Sequence, residues 1–458
     1  MVRARMAPSP TGKLHIGTAH TTLFNWLFTR HNKGVFILRI DDSDKERSKP
    51  EFEKDIVDGI KWLGLNWDEG SYRQSDNANI YEKYVKQLLM SDNAYYCFCS
   101  REELEKERAE QVKNKLVPHY SGKCRNLNEE ERKEKEKRGI KPIIRFKVPN
   151  KIVAFNDMVR GHIEVNMGQF GDFVIMRSDG SALLNFAVVI DDIEMKITHI
   201  IRGEDFLNAT PFQILIYEAL GVNPPKIANL SFIYAPDHSK LSKRHGATGV
   251  SEYKDMGYLP EAMVNFLALI SWNPGGDSEI FSLDELIEKF DISKVQKSAP
   301  TFNIEKLNWF NAYYIRSKSD DELADLLLPF ALQNATKEKM LEIIPLIKER
   351  IKTLSEIQDY AGFFFEEPAI DRSLFGGNSK QHLAAVLEVF ENLNNWNLET
   401  LNEKLMEKVQ ENSFKTGDFF MDLRLAITGK KFTPPINDSI IILGKDKTIE
   451  RIRKVLSN

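Results

Sequence analysis

The alternation of strand and helix signals over the first 63 residues is the feature that most constrains the fold of this chain. Short apolar segments at residues 2–6 and 35–40 predict strands, whereas residues 18–31 and 51–63 have the apolar spacing of helices. Neighbouring parallel strands need a long crossover, which a helix usually supplies. This part of the chain is therefore predicted to be α/β, with a parallel sheet.

Residues 95–185 interrupt this pattern. A stretch of mixed charge at residues 128–138 predicts a solvated helix, and apolar segments at 143–148 and 172–177 predict strands. These signals predict an α+β module inserted into the first domain.

The α/β pattern resumes at residues 186–190 and 198–202. We therefore expect one Rossmann-type domain, split into residues 1–94 and 186–240. From about residue 315 the apolar spacing is almost wholly helical, in the segments 320–333, 337–354, 381–393 and 448–456. Residues 315–458 are predicted to form a separate all-helical domain.

Composition excludes several classes of protein. The chain is 42% hydrophobic, which excludes a wholly disordered chain, and its 63 basic and 67 acidic residues give a formal net charge of −4. Nucleic acid would therefore have to bind local basic patches. Three cysteines are too few for a disulfide framework and indicate a reducing compartment. With no membrane-length apolar run and no secretory signal, we expect a cytoplasmic protein without a membrane partner.

The strongest chemical signal is the segment APSPTGKLHIGT at residues 7–18. A strand ends in a Pro/Gly turn, and a helix begins near His15. Gly17 would let a base or ribose approach the backbone, and a helix start offers N–H groups and a positive dipole end to phosphate. His15 can donate to phosphate oxygens as charge develops. Taken alone, the segment also fits an ordinary strand–turn–helix.

A second signal is the basic segment KLSKRHG at residues 240–246. Lys240 and Lys243 stand three residues apart, with Ser242 between them and Arg244 beside them. In a mobile loop such a group can surround a triphosphate and stabilise the departing pyrophosphate. Taken alone, the segment is typical of a solvated loop. Together with His15 and Gly17, it indicates adenylate-forming chemistry.

The two segments resemble the HIGH and KMSKS signatures of class I aminoacyl-tRNA synthetases. Further blocks resemble bacterial-type glutamyl-tRNA synthetases over essentially the whole chain; they include RMAPSPTGKLHIG, FILRIDDSDKERS, WLGLNWDEG, THIIRGEDFL, KLSKRHGA and GYLPEAMVNFLALISWN. The resemblance implies that residues 95–185 bind the tRNA acceptor end, 241–314 contact its stem and 315–458 bind the anticodon. It also implies a monomer.

The resemblance further implies a two-step reaction. L-Glutamate attacks ATP, which is accompanied by Mg²⁺, and the adenylate then passes its glutamyl group to tRNA(Glu). Charging of tRNA(Gln) as well is an alternative that the sequence leaves open. Two less favoured alternatives are another nucleotidylyltransferase of the same superfamily and an inactive tRNA-binding relative.

Matching the family's motifs residue by residue assigns further roles. His15, Gly17, Lys240 and Lys243 are the expected catalytic residues; Asp205, Ser242 and Arg244 join them in binding ATP; Arg5, Ala7, Ser9, Asp41, Leu184 and Arg202 are expected at the amino acid. Arg5 would pair with the side-chain carboxylate of glutamate, so that glutamine would leave its guanidinium unpaired.

Two of these positions depart from the family pattern. Asp41 stands where a glutamate is expected to hold the substrate ammonium, and its carboxylate is one methylene shorter. Leu184 stands where a tyrosine hydroxyl is expected to meet the substrate, so one polar contact is absent. The departures concern the amino-acid pocket rather than adenylation.

The three cysteines form a separate group of candidates. Cys97, Cys99 and Cys124, with Tyr120, resemble a zinc arrangement found in some relatives. Zinc favours four sulfur or nitrogen ligands, and a phenol is a weak fourth donor. The sequence therefore favours buried, reduced cysteines, with Zn²⁺ as the alternative.

Overall fold

The computed structural model describes residues 1–457 and, within them, every side chain except that of Lys243. The strands are β1 Arg3–Met6, β2 Val35–Ile40, β3 Glu69–Arg73, β4 Ala94–Cys97, β5 Ile143–Phe146, β6 Ile152–Asp157, β7 Gly161–Asn166, β8 Phe173–Met176, β9 His199–Gly203 and β10 Lys226–Leu230.

The helices fall into two groups along the chain. Those up to residue 289 are α1 Ile16–His31, α2 Pro50–Trp62, α3 Ala78–Met90, α4 Arg101–Lys113, α5 Glu129–Lys137, α6 Leu184–Glu194, α7 Thr210–Ala219, α8 Val250–Asp255, α9 Pro260–Leu269 and α10 Leu283–Lys289. Those that follow are α11 Ile304–Ser317, α12 Asp320–Leu327, α13 Lys337–Ile347, α14 Ile357–Ala361, α15 Ser379–Asn392, α16 Leu398–Glu411, α17 Thr416–Thr428, α18 Ile436–Leu443 and α19 Lys445–Ser457.

A seven-stranded sheet with the order β3-β2-β1-β9-β10-β6-β7 forms the centre of the first half of the chain. All neighbours except β6 and β7 are parallel. Strand β2 is buried at five of its six positions, as expected of a strand covered on both faces. The predicted α/β class and parallel Rossmann-type sheet are thus confirmed.

The β6–β7 hairpin lies within the segment predicted as an inserted module, yet it joins the main sheet. Strand β6 pairs in parallel with β10 through Asp157 and Ile227. Gly161 takes φ +88° at the turn, a conformation that favours glycine. The rest of that segment contains the separate antiparallel sheet β4-β5-β8 and the helices α4 and α5, which have no buried residue.

The apolar run at residues 186–190 lies in helix α6, which is buried from Phe186 to Asp192. Five consecutive apolar residues suit a buried strand or a buried helix equally well, because periodicity does not distinguish them. By contrast, β9 occupies almost the same residues as the apolar segment 198–202.

The chain divides into two compact units. The first comprises residues 1–252 and 264–303, and the second residues 253–263 and 304–458. Beyond residue 303 the second unit contains helices α11 to α19, which confirms the predicted helical C-terminal region. The finer four-part division stays a prediction. Among residues 1–457, none of the helices has the length and apolar character needed to cross a bilayer.

Candidate active site

A cavity of about 520 Å³ opens where strands β1 and β9 end. Met6 and Ala7 line it from the end of β1, and Arg202 and Gly203 line it from the end of β9. The strand order reverses between these two strands, since β2 lies on the other side of β1. Ligands of open α/β sheets bind at such a switch point.

The two sequence motifs meet at this cavity. His15, Gly17 and Lys240 all line it. Main-chain hydrogen bonds also join the motif regions, because Ile16 N–H donates to the carbonyl of Thr248 at 2.9 Å. The structure therefore places the start of helix α1 and the basic loop around one space.

His15 caps helix α1 through its imidazole. Its Nδ1 accepts a hydrogen bond from Gly17 N–H at 3.0 Å, so a neutral ring carries its proton on Nε2 and can donate it. Burial and the charge of Lys240 lower the pKa of His15. The expectation of free N–H groups at the helix start is wrong for Ile16 and Gly17, because the Thr248 carbonyl and the His15 ring accept their hydrogens.

Lys240 lies against an aromatic wall of the cavity. Its Nζ is 4.1 Å from the centre of the Phe232 ring, and both residues line the cavity. A cation over an aromatic face is attracted by the ring quadrupole, which holds the ammonium at the cavity wall. The side chain of Lys243 lies outside the described residues, so its expected role stays a prediction.

Ser242 and Arg244 do not line the cavity. The backbone N–H of Ser242 lies 3.2 Å from His245 Nδ1, and Arg244 donates to Ser239 Oγ at 2.7 Å. His245 Nε2 lies 3.2 Å from Asp237 Oδ2. The imidazole of His245 thus organises the loop, a role that we did not predict from the sequence.

Arg5 lies in β1, lines the cavity and is only 4% exposed. Its Nε and Nη2 donate to the two carboxylate oxygens of Asp192, at 3.0 and 3.2 Å. Burial opposes ionisation of Asp192, but the charges of Arg5 and Arg39 outweigh it and lower the pKa. The expectation that glutamine would leave Arg5 unpaired is therefore wrong, because Asp192 already compensates its charge.

In the part of the chain that the structure describes, Arg202 has no direct ion pair with a carboxylate. Its guanidinium donates to Gln213 Oε1 at 2.7 Å and to Thr210 Oγ1 at 2.8 Å, both uncharged, and among the described residues its Nε has no partner. Burial and the neighbouring charge of Arg5 lower the pKa of Arg202 to about 10. Asp192 and Asp205 act on its charge only through longer-range electrostatics. A buried guanidinium without a direct ion pair is unfavourable, so the charge of Arg202 is balanced less closely than that of Arg5.

Asp41 lines the cavity, but its charge is also compensated. Its two oxygens accept hydrogen bonds from Arg39 at 2.7 and 3.3 Å, and burial raises its pKa. A substrate ammonium would therefore share this carboxylate with Arg39.

The remaining expected residues reach the cavity as well; they are Ala7, Ser9, Leu184 and Asp205. Leu184 begins helix α6 and is 43% exposed, so its side chain offers the cavity an apolar and open wall. A Cβ on Gly203 would lie 2.5 Å from Asp205 Oδ1, so the glycine permits the close approach of that carboxylate.

Away from the cavity, the four candidate zinc ligands converge. The sulfurs of Cys97, Cys99 and Cys124 all lie within 4.8 Å of one another. The Tyr120 hydroxyl lies 3.4 Å from the Cys97 sulfur and 3.5 Å from that of Cys99. Hydrogen bonds from the other two thiols lower the pKa of Cys97. The structure thus brings together the four residues of the zinc alternative, and the choice between Zn²⁺ and buried, reduced cysteines stays a prediction.

Comparison with known protein families covers both halves of the chain. Residues 1–309 match the model of the class I tRNA synthetases (E and Q), catalytic domain, and residues 322–456 match an anticodon binding domain. The chain belongs to the class I family of glutamyl- and glutaminyl-tRNA synthetases.

Relatives within this family match over their full length. The chain is 42% identical to glutamate–tRNA ligase 2 of Thermoanaerobacter pseudethanolicus, over 99% of this chain and 98% of the relative. It is 43% identical to glutamate–tRNA ligase of Carboxydothermus hydrogenoformans, over 100% of both. A crystal structure of a glutamate tRNA ligase from Elizabethkingia meningosepticum, in complex with its amino acid, superposes with a TM-score of 0.87 at 35% identity, covering 100% and 99% of the two chains.

Two residues at this class I site were missed in the sequence analysis, Arg39 and Asp192. Each carried a signal: Arg39 interrupts the apolar strand VFILRI, and Asp192 ends the apolar run of FAVVIDD. A charged residue in a buried segment needs a partner, yet the partners lie 153 residues apart, and only the fold brings them together.

Proposed function

We propose that this chain ligates L-glutamate to the 3′ end of tRNA(Glu), using ATP and releasing AMP and diphosphate. The observation that carries the proposal is the meeting of His15, Gly17 and Lys240 at one cavity that Arg5, Asp41 and Arg202 also line. The glutamate–tRNA ligases that match it over their full length support the choice of amino acid and tRNA.

The reaction proceeds in two steps that both depend on positioning. A carboxylate oxygen of glutamate attacks the α-phosphorus of ATP, the bond to the β-phosphate breaks, and pyrophosphate leaves. The terminal ribose hydroxyl of the tRNA then attacks the glutamyl carbonyl, and AMP leaves. Holding the reactants in contact supplies a large part of such a rate enhancement.

The cavity residues divide between the two ends of the substrates. His15 donates from Nε2 to phosphate oxygens, and Lys240 neutralises the charge that develops on the leaving pyrophosphate. Arg202 attracts a carboxylate of glutamate, Arg5 assists it, and Asp41 accepts from the ammonium. Mg²⁺ arrives with the phosphates of ATP, whose oxygens are the ligands that this hard cation prefers.

The cysteine group has a structural role in this proposal. Cys97, Cys99, Tyr120 and Cys124 would hold Zn²⁺, which would fix the end of β4 to residues 120–124. The proposal places the enzyme in the cytoplasm, as a monomer. Residues 315–458 are proposed to bind the anticodon, and residues 95–185 the acceptor end.

The test is glutamylation with purified components. We expect ATP–pyrophosphate exchange that requires glutamate and tRNA(Glu), and esterification of tRNA(Glu). His15→Ala should lower the exchange rate about 10²- to 10³-fold, the effect of removing one transition-state donor. His31→Ala is the matched control, because His31 is exposed at the last residue of helix α1 and does not line the cavity.

Two results would contradict the proposal. If glutamine stimulated exchange as well as glutamate does, glutamate would not be the specific amino acid substrate. If tRNA(Gln) were charged and tRNA(Glu) were not, tRNA(Glu) would not be the tRNA substrate. Charging of both would identify a non-discriminating enzyme, with the chemistry unchanged.

A further inference from the structure

Arg39 joins the two ends of the expected glutamate pocket without lining it. It is fully buried in strand β2. Its Nε donates to Asp41 Oδ1 at 2.7 Å, and its Nη1 donates to Asp192 Oδ1 at 2.9 Å. Asp41 lines the cavity directly, and Asp192 holds Arg5, which also lines it. One guanidinium therefore contacts two carboxylates, one that lines the cavity and one that holds Arg5.

The contacts of Arg5 with Asp192 determine which of its nitrogens is available to a ligand. Asp192 occupies Nε and Nη2 of Arg5, and among the described residues Nη1 has no hydrogen-bond partner. Nη1 is therefore the group of Arg5 available to a ligand. Its position follows from the orientation of the Asp192 carboxylate, which Arg39 sets.

A guanidinium suits this task because it is rigid and planar. Its five N–H donors point in fixed directions, so carboxylates on two of its edges are held at a fixed separation. A lysine ammonium is a compact charge on a flexible stem and has no such geometry. The separation of Asp41 from Arg5 thus depends on an arginine at position 39.

Asp191, the neighbour of Asp192, does not share this role. Its carboxylate accepts hydrogen bonds from Gln74 Nε2 at 2.9 Å, Asn77 Nδ2 at 2.8 Å and the Tyr81 hydroxyl at 2.8 Å. It forms an ion pair with Arg39 at 3.7 Å but no hydrogen bond, and it does not line the cavity. Asp191 therefore offers a buried carboxylate of the same type that holds neighbouring elements rather than Arg5.

We propose that Arg39 is a positioning residue that sets the distance between the ammonium-binding and carboxylate-binding groups, and so selects the amino acid by the length of its side chain. The inference rests on the proposed function, because it takes glutamate as the ligand. It predicts that discrimination between glutamate and aspartate, which differ by one methylene, depends on a residue that touches neither.

The test is tRNA-dependent ATP–pyrophosphate exchange by the full chain with Arg39→Lys. We expect KM for glutamate to rise at least tenfold and the ratio of kcat/KM for glutamate over aspartate to fall at least tenfold, with KM for ATP unchanged. Asp191→Asn is the matched control: it removes a buried charge 3.7 Å from Arg39 but leaves the hydrogen bonds of Arg39 to Asp41 and Asp192 in place. It should lower the thermal unfolding temperature without changing the glutamate-to-aspartate ratio.

Asp192→Asn provides the second variant in case Arg39→Lys fails to fold, since it preserves shape and removes the charge that orients Arg5. The same fall in selectivity is expected. An unchanged ratio in the folded variants would overturn the inference, as would an equal fall in Asp191→Asn, because the effect would then be general loosening of the core. Absence of glutamate-dependent exchange in the unaltered chain would instead contradict the proposed function.

Discussion

Arg202 differs from Arg5 and Arg39 in the charge around it. Asp192 and Asp41 form ion pairs with the other two guanidiniums, whereas the hydrogen bonds of Arg202 within the described part of the chain go to the neutral Gln213 and Thr210. We therefore expect Arg202, which has no direct ion pair, to share with Arg5 the selectivity for an acidic side chain.

Replacement of Arg202 by glutamine tests this assignment. We expect KM for glutamate to rise about 100-fold or more, since loss of one partner of a buried ion pair costs about 3–5 kcal/mol. KM for ATP should stay within about twofold, by steady-state exchange kinetics. Arg73→Gln is the control at an exposed arginine outside the cavity. A KM for glutamate that does not move would remove Arg202 from the amino-acid site.

Leu184→Tyr tests the departure from the family pattern. A tyrosine hydroxyl at this half-exposed wall of the cavity should add one hydrogen bond to the substrate and lower KM for glutamate about 3- to 10-fold, or about 0.5–1.5 kcal/mol. Leu184→Phe supplies the same ring without the hydroxyl and should give no gain. Equal improvement in both variants would show that ring packing, rather than the hydroxyl, is responsible.

His15 gives the prediction on pH. Its folded-state pKa is lowered by burial and by Lys240, whereas in the unfolded chain it is about 6.5. The stability that neutral His15 contributes is therefore present above pH ~6.5 and is lost as the pH falls towards the folded value. Protonation of Nδ1 also ends its acceptance of the Gly17 N–H, which removes the cap of α1.

Histidine NMR titration measures this directly. The His15 resonance should titrate below 6.5, and Lys240→Met should move it upward by removing the nearby cation. Lys45→Met, at an exposed lysine outside the cavity, should leave it unchanged. A pKa at or above 6.5 in the unaltered protein would contradict the environment described for His15.

The elements of the sheet show how far the sequence could specify the fold. The bounds of strand β2 and helix α1 agree with the prediction to within two residues. The β6–β7 hairpin is not recognisable as part of the main sheet, since its partner β10 is formed by residues 226–230, and the pairing is not encoded locally. Helix α6 is not recognisable from its sequence pattern either, because its seven consecutive buried residues leave no amphipathic pattern.

At the site, the sequence predicts the residues that line the cavity, but not the buried residues that hold them in position. His15, Gly17, Lys240 and Arg202 all reach the cavity. The positions of Arg39 and Asp192 depend on the register of β1 against β2 and on the packing of α6, which become known only with the fold.

The loop between β4 and β5 carries the prediction on metal content. Protein purified without chelators should contain about one zinc per chain by elemental analysis, because three sulfurs and a phenol already converge. Cys124→Ser should lose the metal and lower the unfolding temperature, while Ser100→Ala on the neighbouring α4 cap should retain it. Purified protein without stoichiometric zinc would instead support the interpretation of buried, reduced cysteines.

At the scale of the whole molecule, the two family models assign catalysis to the first two thirds of the chain and tRNA recognition to the helical remainder. Because the formal net charge of the chain is −4, the polyanionic tRNA must contact local basic surfaces. The affinity for tRNA should therefore fall steeply with salt, whereas KM for glutamate, in a buried pocket, should change little.

We infer that the start of helix α1 at His15 and the loop at Lys240 act on the same nucleotide. A crystal structure with ATP and Mg²⁺ tests it most directly. We expect His15 Nε2 and Lys240 Nζ to lie within hydrogen-bond distance of phosphate oxygens of one ATP molecule, with its adenosine in the cavity beside Gly17. ATP bound elsewhere, or contacted by only one of these two side chains, would contradict it.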